Sequence, residues 1–205
     1  MDLLHVDGVA LTLGTSPTER ITVCTTGPFS ARLDDLQEVM GEGPTRDAYY
    51  QGRSVQGELP DDPQRRWPLL AEAFRRQFDP HVILSLPMSP GSAPLGVMTV
   101  HRRYESFSPE ICAVAQFVAD AVGAAVARDP SLGDDTDGPW AGRAIVHQAT
   151  GMVVSRLKLS PDDALALIRA HAFAHSDTLT GTCQRMIDRT LHLADGDDSP
   201  VQEQG

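Results

Sequence analysis

The 205-residue chain is poor in cysteine, and its three cysteines, Cys24, Cys112 and Cys183, lie far apart with no Cys-x-x-Cys spacing. That sets a disulfide framework aside. Each sits in an apolar periodic segment, so buried free thiols are expected. Met1-Asp2-Leu3-Leu4-His5 opens no basic region followed by a long apolar run, and nowhere do eighteen apolar residues run uninterrupted. A signal peptide and a membrane span are excluded on that reading, and the protein is expected to be cytoplasmic. Catalytic signatures are missing too: there is no Gly-x-Ser-x-Gly elbow, no P-loop glycine pattern and no Gly-x-Gly-x-x-Gly after a strand. No enzyme is expected.

Positive charge is also scarce. Seventeen Lys and Arg against 28 Asp and Glu leave a net charge of −11, which at first argues against a nucleic-acid partner. The distribution softens that objection: residues 1–140 carry −9, residues 141–193 carry +2 and residues 194–205 carry −4. Four histidines, His147, His171, His175 and His192, add charge to the positive segment only at lower pH.

Taken in order, Val6–Leu13 and Arg20–Thr26 alternate around a Ser/Pro turn and predict a hairpin. Ala31–Met40 reads as a helix stopped by Gly41-Glu42-Gly43-Pro44, and a short helical piece around Asp47–Tyr50 ends at Gly52. Ser54–Leu59 is a short strand before a Pro60–Pro63 loop, and Trp67–Phe78 is helical with Leu70, Phe74 and Phe78 at four-residue spacing. His81–Met88 and Leu95–Arg103 are the clearest strands, expected to pair antiparallel at the centre of a sheet. Ser108-Pro109-Glu110 opens a long helix to Arg128, with Ile111, Val114, Val118, Ala121, Val122, Ala125 and Val126 on a broad apolar face. Asp129–Pro139 has turn residues and charge without an apolar period and reads as a linker. The plan is α+β with an antiparallel sheet.

From Arg143 to Leu193 three short helices follow. The first has Ile145, Ala149, Met152 and Val153 on one stripe, with Arg143, His147 and Arg156 opposite. Ser160-Pro161-Asp162-Asp163 is a strong helix start, because it combines a hydroxyl acceptor, a proline where its missing N–H costs nothing, and carboxylates at the positive end of the dipole. The second helix should bury Ala164, Leu165, Ile168 and Ala172, and the third Leu179, Cys183, Met186, Ile187 and Leu191. A unit of about fifty residues without disulfides is marginal alone and should lean on a neighbour.

Two resemblances emerge from these residues. Gln148-Ala149-Thr150-Gly151-Met152-Val153, then Ser160, Ala164, Leu165, Arg169 and Ala172, then a third amphipathic helix, resemble the ANTAR domain, an RNA-binding module of bacterial antitermination regulators. Many members have Lys in an Ala-Lys-Gly triplet where this chain has Thr150, so one phosphate-pairing charge is missing. Leu36–Pro44, Arg66-Trp67-Pro68 and Leu95-Gly96-Val97-Met98 resemble a GAF domain, and GAF followed by ANTAR is a pairing found in actinobacterial regulators. The expected organisation is a GAF-like sensor over residues 1–128, a linker over 129–141, an ANTAR domain over 142–193 and a disordered acidic tail over 194–205. GAF domains usually open on a helix that packs beside the last one, often in a dimer bundle. Here a strand comes within a few residues of Met1, so the expectation is a shortened domain or a start upstream.

The resemblance implies paired modules gripping tandem RNA hairpin loops in nascent transcripts, with loop bases read by polar edges and stacking. The expected RNA-binding residues are Arg143, Gln148, Thr150, Arg156, Lys158 and Arg169, with Ala149 and Gly151 contributing by being small. A homodimer and a small-molecule signal are the implied partners, and no membrane is. GAF domains often hold a ligand between the sheet and the helices of residues 31–78, but no motif names one. Haem stays open through His81 and His101, and so does a pocket filled by its own side chains. His171 and His175 have metal-ligand spacing but no third donor at a characteristic distance, so no metal is expected. Asp61-Asp62 and Asp134-Asp135 read as solvated turn acids. A sensor or scaffold whose helical end assembles with protein rather than RNA remains the alternative.

Overall fold

The structure is a computed structural model describing residues 4–16, 19–89, 91, 93–128, 139–191 and 193. It divides into two compact units, residues 1–143 and 144–205. In the first, five strands form one antiparallel sheet: β1 (Gly8–Ser16), β2 (Glu19–Thr25), β3 (Val55–Leu59), β4 (His81–Met88) and β5 (Gly96–Arg103), in the order β2-β1-β5-β4-β3. The hairpin expected at the start is β1 with β2, and β5 is the central strand. Four helices accompany the sheet: α1 (Pro28–Met40), α2 (Pro44–Gln51), α3 (Pro68–Arg75) and α4 (Pro109–Val126).

Strand β4 is buried at every position and β5 at all but its last, which an amphipathic strand would not be. Alternation sorts their side chains between two cores. Val82, Leu84, Leu86, Met88, Met98 and Val100 meet α4, while Ile83 and Val97 meet Leu33, Leu36, Leu70 and Phe74 of α1 and α3.

Helix α4 corrects the face expected for it only in part: Ile111, Val118, Val122 and Val126 pack against the core, while Val114 does not. Ser108 caps it as expected, accepting from the Ile111 N–H. Its fully buried residues, however, are Ala115, Ala119 and Gly123, while Val114 and Phe117 stand 43% and 75% exposed. Small residues let the helix axis approach β4: a Cβ on Gly123 would come 2.9 Å from Met88 Cβ. Gln116 Nε2 donates to the Pro87 carbonyl at 2.8 Å on the same side. α4 is long and apolar enough to cross a membrane by length and composition, yet these residues engage it with β4 instead.

Two further expectations change. Cys24 is exposed and Cys112 half-buried, so only Cys183 is the buried thiol expected of all three. Asp62 is not a solvated turn acid: it is 7% exposed and binds Arg66 at 2.7 Å, while Arg66 also donates to the Gln56 carbonyl at 2.6 Å and stacks on Trp67. Burial pulls the Asp62 carboxyl up, but bonds from Arg66 outweigh it and hold the pKa below the ordinary value. The Arg66-Trp67-Pro68 motif is therefore a brace between β3 and α3. Asp134 and Asp135 lie outside the described residues, as do most of the expected linker and the whole expected tail.

Helix α5 (Pro139–Leu157) begins before the division and gives residues 144–157 to the second unit, which also contains α6 (Pro161–Ala174) and α7 (Leu179–Ile187). Ala164, Leu165, Ile168 and Ala172 are all buried, as the spacing predicts, and Ser160 caps α6 by accepting from the Asp163 N–H at 3.1 Å. Ala149 and Val153 supply the buried stripe of α5, but Met152 is 38% exposed and falls outside it. The helices end at left-handed residues that are not glycine: Lys158 (φ 58°), Ser176 (φ 53°) and Arg189 (φ 59°). Asp177 ties the second turn together, accepting from Thr182 Oγ1 at 2.8 Å and pairing with Arg185 at 2.8 Å. Burial raises its pKa, while bonds from Thr182 and Thr178 and the Arg185 charge pull it below the carboxylate norm.

Gly123→Val should destabilise the sensor unit by about 1–3 kcal/mol through overpacking against Met88, despite valine's better helix propensity. Urea denaturation reads this, and an unchanged midpoint would contradict the close approach. Asp177→Asn should cost about 1 kcal/mol at pH 7. Because the folded carboxyl titrates below its unfolded value near 3.8, the wild-type advantage is present above that pH. It is lost as pH falls through the folded pKa, so the two denaturation curves should converge in acid.

Candidate nucleic-acid interface

The expected RNA-binding residues separate once placed on the helices. Gln148, Gly151 and Arg156 are exposed and line one cavity of about 650 Å3, whose wall on the other side is formed by Met186, Arg189 and Leu193. Met152, Val153, Ser155 and Leu157 also line it from α5. The arrangement follows from helical spacing, since residues three and four apart share a face. A Cβ on Gly151 would meet nothing within 4 Å, so its smallness serves no contact inside the unit and leaves α5 backbone open at the surface.

The other expected residues lie elsewhere. Ala149 is fully buried, so its small size serves the packing of the helices rather than an exposed surface. Thr150 is half-buried, and its hydroxyl donates back to the Val146 carbonyl at 2.8 Å, a bond within its own helix. Lys158 is exposed at the left-handed turn after α5, and Arg169 is half-buried on α6. Arg143 belongs to α5, and its side chain lies outside what is described.

Two residues that sequence reasoning passed over join the cavity. Arg189 is exposed at the end of α7 and brings a second guanidinium to the wall facing Arg156. Its position depends on the left-handed turn that follows Ile187, for which a non-glycine sequence gives no signal. Met152 could have been found, since it lies four residues after Gln148 on the same face, but its apolar side chain placed it in the core stripe.

Chemically, this surface combines amide and guanidinium donors with apolar patches, the combination that unstacked bases and phosphates require. His171 and His175 stack with centroids 4.0 Å apart on α6 and, among the described residues, gain no third metal donor.

Among the described residues, the first unit offers no comparable opening beneath α1. The space lined by Ser30, Leu33, Asp34, Gln37, Thr99 and His101 leaves about 0 Å3 open to a water-sized sphere, against the ~300 Å3 at which small-molecule pockets begin. Its own polar side chains fill it. Thr12 and Thr22 donate to Asp34, Gln37 Oε1 accepts from the Thr45 N–H at 2.9 Å, and Thr45, Ser85 and Thr99 share hydroxyl contacts. A haem finds no room there.

The GAF domain family model matches residues 7–127, and the ANTAR domain model matches residues 140–187. No curated protein matches the chain. Among solved structures, it is similar to a GAF domain/HD domain protein from Geobacter sulfurreducens, at 15% identity and TM-score 0.48, over 62% of this chain and 83% of that one. It is also similar to the GAF domain of a phosphoenolpyruvate-protein phosphotransferase from Coxiella burnetii, at 20% identity and TM-score 0.47, over 64% of this chain and 78% of that one. An RNA-binding light-oxygen-voltage receptor matches at 14% identity and TM-score 0.27, over 89% of this chain and 48% of that one. With the GAF model covering more than half of its residues and the ANTAR model following it, the chain belongs to the GAF domain family and carries an ANTAR domain after the GAF domain.

Proposed function

We propose that this protein is a signal-responsive antitermination regulator, of the type the GAF and ANTAR order resembles in actinobacteria, which grips hairpin loops in nascent transcripts through α5. The family match supplies RNA binding as the class of activity. The observation that carries the finer reading is the open surface of Gln148, Gly151, Met152 and Arg156 facing Arg189. Loop bases would stack on the apolar part while the guanidiniums pair with phosphates. Thr150, with its hydroxyl turned into the helix, contributes no charge, so affinity rests on Arg156, Arg189 and Lys158.

Purified full-length protein should bind an RNA with two adjacent short-loop hairpins saturably, prefer it to a loop-scrambled control, and weaken steeply as salt rises. Arg156→Ala and Arg189→Ala should each reduce affinity about tenfold and lower the salt slope by about 1. Gln148→Ala should reduce loop preference more than salt dependence. Binding that ignores loop sequence, in folded protein, would transfer the reading to a scaffold that assembles with proteins.

Regulation would act through a homodimer, with α4 as the contact. Phe117 and Val114 leave an exposed apolar patch on a helix whose other edge is occupied by β4. Phe117→Asp should convert the dimer to monomer in light scattering without shifting thermal stability. A wild-type monomer, or a dimeric variant, would contradict it.

A further inference from the structure

At one end of the sheet, three residues that no motif connects converge. Asp7 immediately precedes β1, His81 opens β4 and His101 lies near the end of β5. Antiparallel register brings them together: Gly8 pairs with His101, while His81 pairs with Arg103, so His81 and His101 are diagonal neighbours on one face. Each of the three offers a ligand atom within 4.8 Å of the other two.

The hydrogen bonds around them assign the ring nitrogens. His81 Nδ1 lies 2.8 Å from the Asp79 carbonyl, which can only accept, so Nδ1 carries the proton and Nε2 carries the lone pair. His101 Nε2 lies 2.8 Å from Ser30 Oγ, and the room for that contact exists because residue 8 is glycine: a Cβ there would come 2.4 Å from Nε2. Ser30 Oγ can accept from Nε2–H, and in that tautomer His101 Nδ1 is a bare lone pair. Nδ1 is buried with no hydrogen-bond partner, on a side chain only 4% exposed. An unmatched buried lone pair is costly unless something accepts it. Burial, with His81 next to it, lowers the His101 pKa to about 4 although the Asp7 charge opposes this, so the ring is neutral at physiological pH.

The carboxylate is braced as well. Asp7 Oδ2 accepts the Arg103 N–H at 2.9 Å, leaving the second oxygen to a further partner. Phe29 stacks on His81 with centroids 4.0 Å apart and tilts over His101 at 4.4 Å, giving the histidines an apolar wall. Two imidazoles whose far nitrogens lie 2.8 Å from a carbonyl and a serine hydroxyl, a hydrogen-bonded carboxylate and an apolar wall resemble the supports that orient metal ligands.

We propose that Asp7, His81 and His101 form a site for one first-row divalent transition cation. Two nitrogens and one carboxylate oxygen suit Zn2+, Fe2+ or Co2+ and disfavour Mg2+ and Ca2+, which want all-oxygen surroundings. Ligand atoms on a bound ion sit about 3.4 Å apart for metal bonds near 2.0–2.1 Å, so the three side chains need to close only slightly. Three protein ligands leave a coordination position on the exposed Asp7 side for water or an added small ligand. The site lies within the GAF domain and stands or falls independently of the RNA-binding reading.

The test is titration of metal-stripped full-length protein with Co2+ and Zn2+, read by calorimetry and by the visible absorption of bound Co2+. One equivalent should bind per chain, Zn2+ should displace Co2+ and raise the melting temperature, and excess Mg2+ should do neither. His81→Gln and His101→Gln should weaken Co2+ binding by at least about 100-fold. Asp7→Asn changes an exposed side chain and keeps the fold testable; it should weaken binding about tenfold and alter the absorption bands. His171→Ala with His175→Ala should change nothing. Folded protein that binds no Co2+, or Co2+ binding that survives Asp7→Asn and both glutamine variants, would overturn the proposal, as would binding abolished by the His171/His175 double variant.

Discussion

Burial of β4 and β5 on both faces is the constraint from which the sensor domain follows. A strand pair that hides all but its last residue, Arg103, needs cover above and below, and the chain supplies it unequally. On one face α4 approaches through Ala115, Ala119 and Gly123, with Ile111, Val118, Val122 and Val126 partly buried beside them and Val114 and Phe117 left outside. On the other face α1, α2 and α3 cover a mixed layer in which Thr45, Ser85 and Thr99 share hydroxyl contacts, Gln37 accepts from the Thr45 N–H and Asp34 accepts from Thr12 and Thr22. The polar layer closes the space where a GAF ligand would be sought, and its edge is the histidine pair His81 and His101.

The helical domain solves a different problem. Three thin stripes bury Ala149, Val153, Ala164, Leu165, Ile168, Ala172, Leu179, Cys183 and Met186, a core built largely from small residues. Such a core leaves much to the turns. Ser160 and Thr178 cap α6 and α7, and Asp177 gathers Thr182 and Arg185. Because the inward side of α5 is narrow, Gln148, Gly151, Met152 and Arg156 stay at the surface. The same economy of core that makes the domain small makes the candidate RNA surface available.

Much of this was legible in the residues, for identifiable reasons. The apolar residues gathered in His81–Met88 and Leu95–Arg103 announce two paired central strands, and Ser160-Pro161-Asp162-Asp163 announces a helix start because its chemistry is local. What depends on distant neighbours was not legible. Periodicity showed that α4 has an apolar face holding Ile111, Val118, Val122 and Val126, but not that Ala115, Ala119 and Gly123 would be its most deeply buried line, with Gly123 against Met88. Asp62 looks like a turn acid until Arg66 folds over it. The turns at Lys158, Ser176 and Arg189 use left-handed residues without glycine. Asp7, His81 and His101 are separated by most of the domain, and only strand register unites them.

The central claim is that RNA meets the protein on α5 of the ANTAR domain. Ultraviolet crosslinking of the full-length protein to a two-hairpin RNA, with the crosslinked peptides identified by mass spectrometry, tests it most directly. The account predicts crosslinks concentrated at residues 148–158 and around Arg189, competed away by unlabelled hairpin RNA. Competable crosslinks confined to the sheet domain, with none on α5, would contradict it.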